Sequence, residues 1–235
     1  FENPMPVQQE VIPYLLGENN DIVALAQTGT GKTAAFGLPI VQKTDTNIPF
    51  PQSLILAPTR ELCLQITEDL IQYAKYVKGL HVVAVYGGAS IEAQIKAIKR
   101  GAHIIVATPG RLIDLMKRRA VSLKTVSSVV LDEADEMLNM GFTESINEIL
   151  AEVPKERNML LFSATMSQEI ATIAKTYLNS PKEITIGRKN ESTAMVEHIA
   201  YTVQAKDKYA TLKRIAGSTD TRPAKINTKK LLSFY

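Results

Sequence analysis

Tryptophan is absent from this 235-residue chain, cysteine occurs once and histidine three times. A single cysteine, Cys63, excludes an internal disulfide and fits a reducing compartment. No basic neighbour or histidine motif activates it, so it reads as a small core side chain. His81, His103 and His198 are scattered without metal-ligand spacing, and a zinc site is not indicated. Aromatic residues make up 6% of the chain, too few for an extended base-stacking surface. No apolar run approaches the roughly 20 residues of a membrane span, and the opening FENPMPVQQE is too polar for a signal peptide. We therefore expect a cytoplasmic protein without membrane attachment.

Nor is there a strong excess of charge of one sign. The 27 Lys and Arg exceed the 24 Asp and Glu by only three. Residues 206–235 carry eight basic and two acidic residues, net +6, which leaves −3 on residues 1–205. Any polyanion bound by the main part of the chain must be held by local placement of groups rather than by a basic surface. With 45% hydrophobic and 22% charged residues, the composition excludes disordered and collagen-like classes.

What is present is an alternation. Short runs rich in β-branched residues at 22–26, 53–57, 82–86, 104–108, 126–132, 159–163 and 183–186 predict strands. Helical periodicity predicts helices at 7–16, 32–42, 60–77, 91–100, 110–117, 143–152 and 168–177. In the third, Leu62, Ile66, Leu70, Ala74 and Val77 form one apolar stripe. This is the pattern of an α/β domain, a mostly parallel sheet with helices on both faces. Ligands of such domains bind beyond the C-terminal ends of the strands, and the segments there read AQTGTGKT, PTREL, GGAS, TPGR, DEAD and SAT. Met137, Met140, Met159 and Met166 read as core and loop packing, and the basic stretches 96–100 and 117–119 as solvated helix faces.

Ala26-Gln27-Thr28-Gly29-Thr30-Gly31-Lys32-Thr33 follows a strand and opens a helix, the context a phosphate-binding loop requires. Glycines let the backbone wrap phosphates, and the helix start directs unpaired N–H groups toward them. Lys32 would reach the β and γ phosphates and the Thr33 hydroxyl would ligate Mg²⁺. One hundred residues beyond Lys32, the apolar run Val129-Val130-Leu131 ends in Asp132 and Glu133. Asp132 is suited to hold Mg²⁺ through water, and Glu133 to orient and partly deprotonate the attacking water. Lys32, Asp132 and Glu133 are thus the catalytic candidates for nucleoside triphosphate hydrolysis.

Asp132-Glu133-Ala134-Asp135 spells DEAD, and here the sequence resembles the DEAD-box RNA helicases of superfamily 2, from residue 1 to about 215. Residues 1–8 resemble the adenine-recognising Q motif, with Gln8 as the adenine reader. Residues 26–33 match motif I. Pro58-Thr59-Arg60-Glu61-Leu62, Gly87-Gly88 and Thr108-Pro109-Gly110-Arg111 match the stretches that hold the RNA backbone. Ser163-Ala164-Thr165 matches motif III, which links hydrolysis to strand separation, with Asp135 anchoring the SAT loop. The resemblance implies a RecA-like P-loop NTPase fold, an ATP-dependent RNA helicase activity, ATP and Mg²⁺ as cofactors, and RNA as partner. It also implies a second RecA-like lobe in the same full-length protein, and we expect a monomer.

On this reading residues 1–186 form the ATP-binding lobe, the polar and aperiodic 187–198 a linker, and 199–235 a truncated start of the second lobe plus a tail. Met5 stands where the family usually has Thr or Ser. Residues 217–235 do not continue into the apolar strand of a second lobe and offer no arginine-rich motif. The chain alone is therefore expected to bind adenine nucleotide weakly, hydrolyse it very slowly and not unwind RNA. Two rivals are a nucleotide-dependent RNA clamp and an ordinary P-loop nucleotidase without response to RNA.

Overall fold

Apolar residues on alternate positions of each strand decide how the layers assemble. The computed structural model describes residues 3–17, 21–186, 204, 207, 209–211, 213 and 214. The elements run α1 (Pro6–Gly17), β1 (Ile22–Leu25), α2 (Lys32–Lys43), β2 (Ser53–Leu56), α3 (Arg60–Tyr73), β3 (Val82–Val85), α4 (Ile91–Lys99) and β4 (Ile104–Ala107). They continue α5 (Pro109–Lys117), β5 (Ser128–Leu131), α6 (Ala134–Asn139), α7 (Thr143–Ala151), β6 (Asn158–Ser163), α8 (Gln168–Tyr177) and β7 (Lys182–Thr185). All seven strands pair in parallel in the order β3-β4-β2-β5-β6-β1-β7.

The sheet is covered on both faces. Ile22, Ala24, Ile55, Ile104, Val106, Val130, Leu160 and Phe162 pack with α1, α2 and α3. Their neighbours in sequence, including Val23, Leu54, Leu56, Ile105, Val129, Leu131 and Leu161, pack with α4 to α8. Because side chains alternate with period two, a one-residue slip would exchange the two cores. Phe36 of α2 and Phe162 of β6 are fully buried with ring centroids 5.3 Å apart, which pins the helix after the first strand to the middle of the sheet. Asp21, 5% exposed, accepts from the backbone N–H of Met159 at 2.7 Å and of Asn179 at 2.6 Å, tying the starts of β1, β6 and β7 together.

Three details differ from the sequence expectation. Helix α3 stops at Tyr73 rather than 77: Ala74 is the last residue of its buried stripe, Val77 is exposed, and turns lead back to the start of β3. Strand β5 covers only 128–131, since Val126 is buried in the turn before it. The six-residue α6 has no counterpart in the expected elements; it is too short to show a period, and Gly141 at φ 82° just past its end was its only punctuation. Met137 and Met159 are in the core, whereas Met140 and Met166 are exposed. Cys63 is fully buried and burial pushes its thiol up to about 11. Among the described residues no helix is long and apolar enough to cross a membrane.

The chain divides into two units, Phe1–Lys189 and Asn190–Tyr235. In the second, residues 209–211, 213 and 214 are helical. The expected linker 187–198, most of the expected start of a second lobe from 199 and the tail from 217 lie outside the described residues.

Candidate functional site

Since every strand runs the same way, all loops that follow strands gather on one rim of the sheet. Strand order then sorts them. Those after β5, β6 and β1 lie side by side and carry DEAD, SAT and AQTGTGKT; those after β3, β4 and β2 carry GGAS, TPGR and PTREL. One half of the rim holds the nucleotide candidates and the other half the RNA candidates.

In the first half, Gly29 at φ 83° and Gly31 at φ 86° carry the loop through the left-handed conformations that glycine adopts freely, and Gly31 caps the start of α2. Thr30 Oγ1 donates to the Gln27 carbonyl at 2.7 Å, closing the loop. Lys32 is 6% exposed, its Nζ 3.2 Å from the Ala26 carbonyl and 3.8 Å from Asp132 Oδ1. Thr33 stands beside it in the first turn of α2, and Ala26 is buried. Gln8 is 4% exposed and both ends of its amide are engaged: Nε2 donates to the Gly31 carbonyl at 3.1 Å, and Oε1 accepts from Met5 N–H at 2.9 Å. A Cβ on Gly31 would stand 2.5 Å from Gln8 Nε2 and 2.8 Å from Met5 Sδ, so the Q-motif segment is seated against the phosphate loop.

The parity of β5 places Asp132 on the same face as Val130, the face that carries α2 and Lys32. Burial pushes the Asp132 carboxyl from 3.8 up to about 6; Lys32 pulls the other way, and the neighbouring Glu133 adds to the rise. Glu133 adopts φ 51° and ψ 50° as the first cap of α6, a left-handed conformation costing a side-chain-bearing residue about 1–2 kcal/mol. Its N–H donates to Asp132 Oδ1 at 3.0 Å, and its Oε1 accepts from the Thr28 hydroxyl at 3.1 Å. The strained turn thus directs the second carboxylate onto the phosphate loop, 105 residues away in sequence. Asp135 points to the opposite neighbour, with Oδ2 accepting from Thr165 Oγ1 at 3.0 Å. Ser163, fully buried, donates to the Thr165 carbonyl at 2.7 Å and accepts its N–H at 3.3 Å, folding the SAT turn with Ala164 exposed at its tip.

In the second half, the Thr59 side chain caps α3 by accepting from Leu62 N–H at 3.2 Å, and Pro58 is buried behind it. The Arg60 guanidinium lies 4.9 Å from the centroid of the Tyr86 ring. Thr108 caps α5, Pro109 is buried at its first position and Gly110 is exposed. Arg111 Nη1 donates to the Ala89 carbonyl at 3.0 Å, so one of its N–H groups supports the Gly87–Gly88 turn rather than facing solvent. The basic helix ends lie outside this rim: Lys117 pairs with Glu148 at 3.3 Å and Arg118 with Asp114 at 3.0 Å, all on exposed faces.

No sequence motif marks Asp21, Tyr86 or Gln94, the last donating to the Tyr86 carbonyl at 3.0 Å from α4. Only the Thr28 contact to Glu133 had a local hint, a hydroxyl inside a phosphate loop.

Known proteins share this sequence and fold. A sequence model of the DEAD/DEAH box helicase family matches residues 5–173. The DEAD-box ATP-dependent RNA helicase CshA of Streptococcus pneumoniae is 47% identical over 215 residues, covering 92% of this chain and 41% of that protein. The ATP-dependent RNA helicase CshA of Listeria monocytogenes is likewise 47% identical over the same shares. The chain thus spans about 41% of the length of these relatives. Among solved structures, a DEAD box protein from Methanococcus jannaschii superposes with TM-score 0.74 at 39% identity, over 90% of this chain and 56% of that one. The yeast DEAD-box splicing factor Prp28 superposes with TM-score 0.77 at 34% identity, over 94% and 53%. A phosphate loop facing a DEAD turn on one half of the rim of a RecA-like sheet, and a match extending through SAT, make this chain a member of the DEAD/DEAH box helicase family.

Proposed function

We propose that this chain is the N-terminal lobe of an ATP-dependent RNA helicase, which binds ATP with Mg²⁺, grips the RNA backbone and couples hydrolysis to local duplex separation. The observation that supports this reading is the division of one rim into a half carrying AQTGTGKT, DEAD and SAT and a half carrying PTREL, GGAS and TPGR, joined where β2 meets β5. A cytoplasmic location, a monomeric state and a second RecA-like lobe as partner belong to the same proposal.

The residues fit the cofactors. The Thr33 hydroxyl and Asp132 carboxylate are hard oxygen donors, the kind Mg²⁺ takes in ones and twos beside its waters. Bound there, Mg²⁺ supplies positive charge to the β and γ phosphates. Lys32, whose ammonium now rests on a backbone carbonyl and Asp132, offers donors to the same phosphates. Glu133, held by Thr28, orients a water for in-line attack and accepts its proton. Asp135, bonded to Thr165, ties the hydrolytic turn to the SAT loop, which is the route for coupling. Thr59, Arg60, Gly88 and Arg111 suit contacts to phosphate and sugar, which position a strand without reading its sequence.

Titration of the chain with a fluorescent ATP analogue tests the nucleotide half. Binding should strengthen with Mg²⁺ and be lost in Lys32→Ala; equal binding by parent and variant would overturn it. In the full-length protein, Glu133→Gln should abolish turnover while trapping RNA in the ATP state, whereas a pure clamp would be little changed. Robust RNA-stimulated hydrolysis by this chain alone would refute the need for a second lobe, since a transition-state arginine contributes about 10³ to 10⁵ in rate.

A further inference from the structure

The RNA half of the rim contains two side chains that no motif includes. Gln94 of α4 is 7% exposed; its Nε2 donates to the Tyr86 carbonyl at 3.0 Å, while its Oε1 is buried with no hydrogen-bond partner among the described residues. A buried acceptor left unsatisfied costs stability, and an apolar side chain of similar length would avoid that cost. The amide thus satisfies one carbonyl while leaving its own oxygen unpaired, and its net contribution to folding is small. What it does hold is the end of β3, where the chain turns through Gly87 and Gly88.

Tyr86 occupies that end. Its ring supports the Arg60 guanidinium at 4.9 Å, and among the described residues Arg60 makes no ion pair. Gly88 has φ 78°, and a Cβ there would approach Arg60 Nη1 to 3.3 Å, so the guanidinium lies over bare backbone. Arg111 takes the Ala89 carbonyl from the other side. The carbonyls flanking the two glycines are thus both capped by side chains from within the lobe. This removes acceptor oxygens that would repel a phosphate. It also leaves a long, rotamer-rich cation already placed over the turn, so less entropy is lost when it grips an anion.

We propose that Tyr86 and Gln94 are positioning residues for RNA: the Tyr86 ring holds Arg60 against Gly88, Gln94 fixes the Tyr86 carbonyl, and the two preform a notch for one backbone phosphate. The inference rests on the RNA reading of Arg60 given above, and the test separates the two.

NMR and fluorescence-anisotropy titrations of the chain with a short labelled oligouridylate, across a series of KCl concentrations, supply the readout. Arg60→Ala should weaken binding and lower the slope of log K against log salt by about one. Tyr86→Leu should weaken binding about two- to fivefold, the worth of an exposed cation–ring contact, with the slope retained because the charge remains. Tyr86→Phe, which keeps the ring, should restore the parent affinity. Gln94→Met frees the Tyr86 carbonyl but also removes the unpaired Gln94 oxygen, so it should lower RNA affinity with little change in melting temperature. In the Arg60→Ala background, Tyr86→Leu should have no further effect. If Tyr86→Leu weakens binding equally in both backgrounds, or Gln94→Met leaves affinity intact, the positioning role is wrong and the RNA reading stands. If Arg60→Ala changes nothing, or the parent chain gives no response to RNA, both fail.

Discussion

Asp132 should destabilise the fold that it serves. Its carboxyl is almost fully buried and titrates at about 6 in the folded chain, against an ordinary value of 3.8. Between these values the folded chain keeps a proton that the unfolded chain has lost. Stability is therefore full below about 3.8, falls as pH rises through this window and levels off above about 6. At 1.36 kcal/mol per pKa unit the cost at neutral pH is about 3 kcal/mol. The attraction of Lys32, 3.8 Å away, is already included in that figure, so burial outweighs the ion pair. Asp132→Asn mimics the protonated acid: its side-chain oxygen can still accept the Glu133 N–H, but no charge is buried. Urea unfolding should show the variant more stable than the parent by about 3 kcal/mol at pH 7.5, and the difference should close toward zero near pH 4. Hydrolysis by the full-length protein should be lost. A variant no more stable than the parent at pH 7.5, or a gain independent of pH, would refute the reasoning.

Gly31→Ala should strain the loop by about 1–2 kcal/mol at φ 86° and push the Gln8 amide away, lowering affinity for a fluorescent ATP analogue roughly tenfold. Unaltered affinity would show that Gln8 and the loop are not mechanically joined. Asp21→Ala should cost about 2–4 kcal/mol in urea unfolding, because it strips the backbone N–H groups of Met159 and Asn179 of a charged acceptor inside the fold. Cys63 should resist Ellman's reagent at pH 8 in the native chain and react completely in denaturant, its thiol being buried and held up near 11; rapid labelling of the native chain would contradict its place in the core.

The elements and their chemistry were legible because both are local. A strand such as Leu54-Ile55-Leu56 and a stripe such as Leu62, Ile66 and Leu70 declare their periods within a few residues. The phosphate loop declares itself in eight residues, and Asp132 and Glu133 are conspicuous because they end an apolar run. Among the described residues the seven strands stand where the periods predict them, and the short α6 alone shows no period.

By itself, then, the sequence determined the strands and the longer helices, which loops carry the motifs, and which family the chain resembles. Tertiary structure decided what those loops meet. Strand order sets DEAD, SAT and the phosphate loop side by side, and no local pattern encodes that order because parallel pairing joins residues more than one hundred positions apart, as Ile22 and Leu160. The same packing buries Asp132 enough to raise its carboxyl, twists Glu133 onto Thr28, and brings Gln94 beneath Tyr86. Burial, strain and hydrogen-bond partnership are properties of neighbours in space, and a chain acquires them only when it closes on itself.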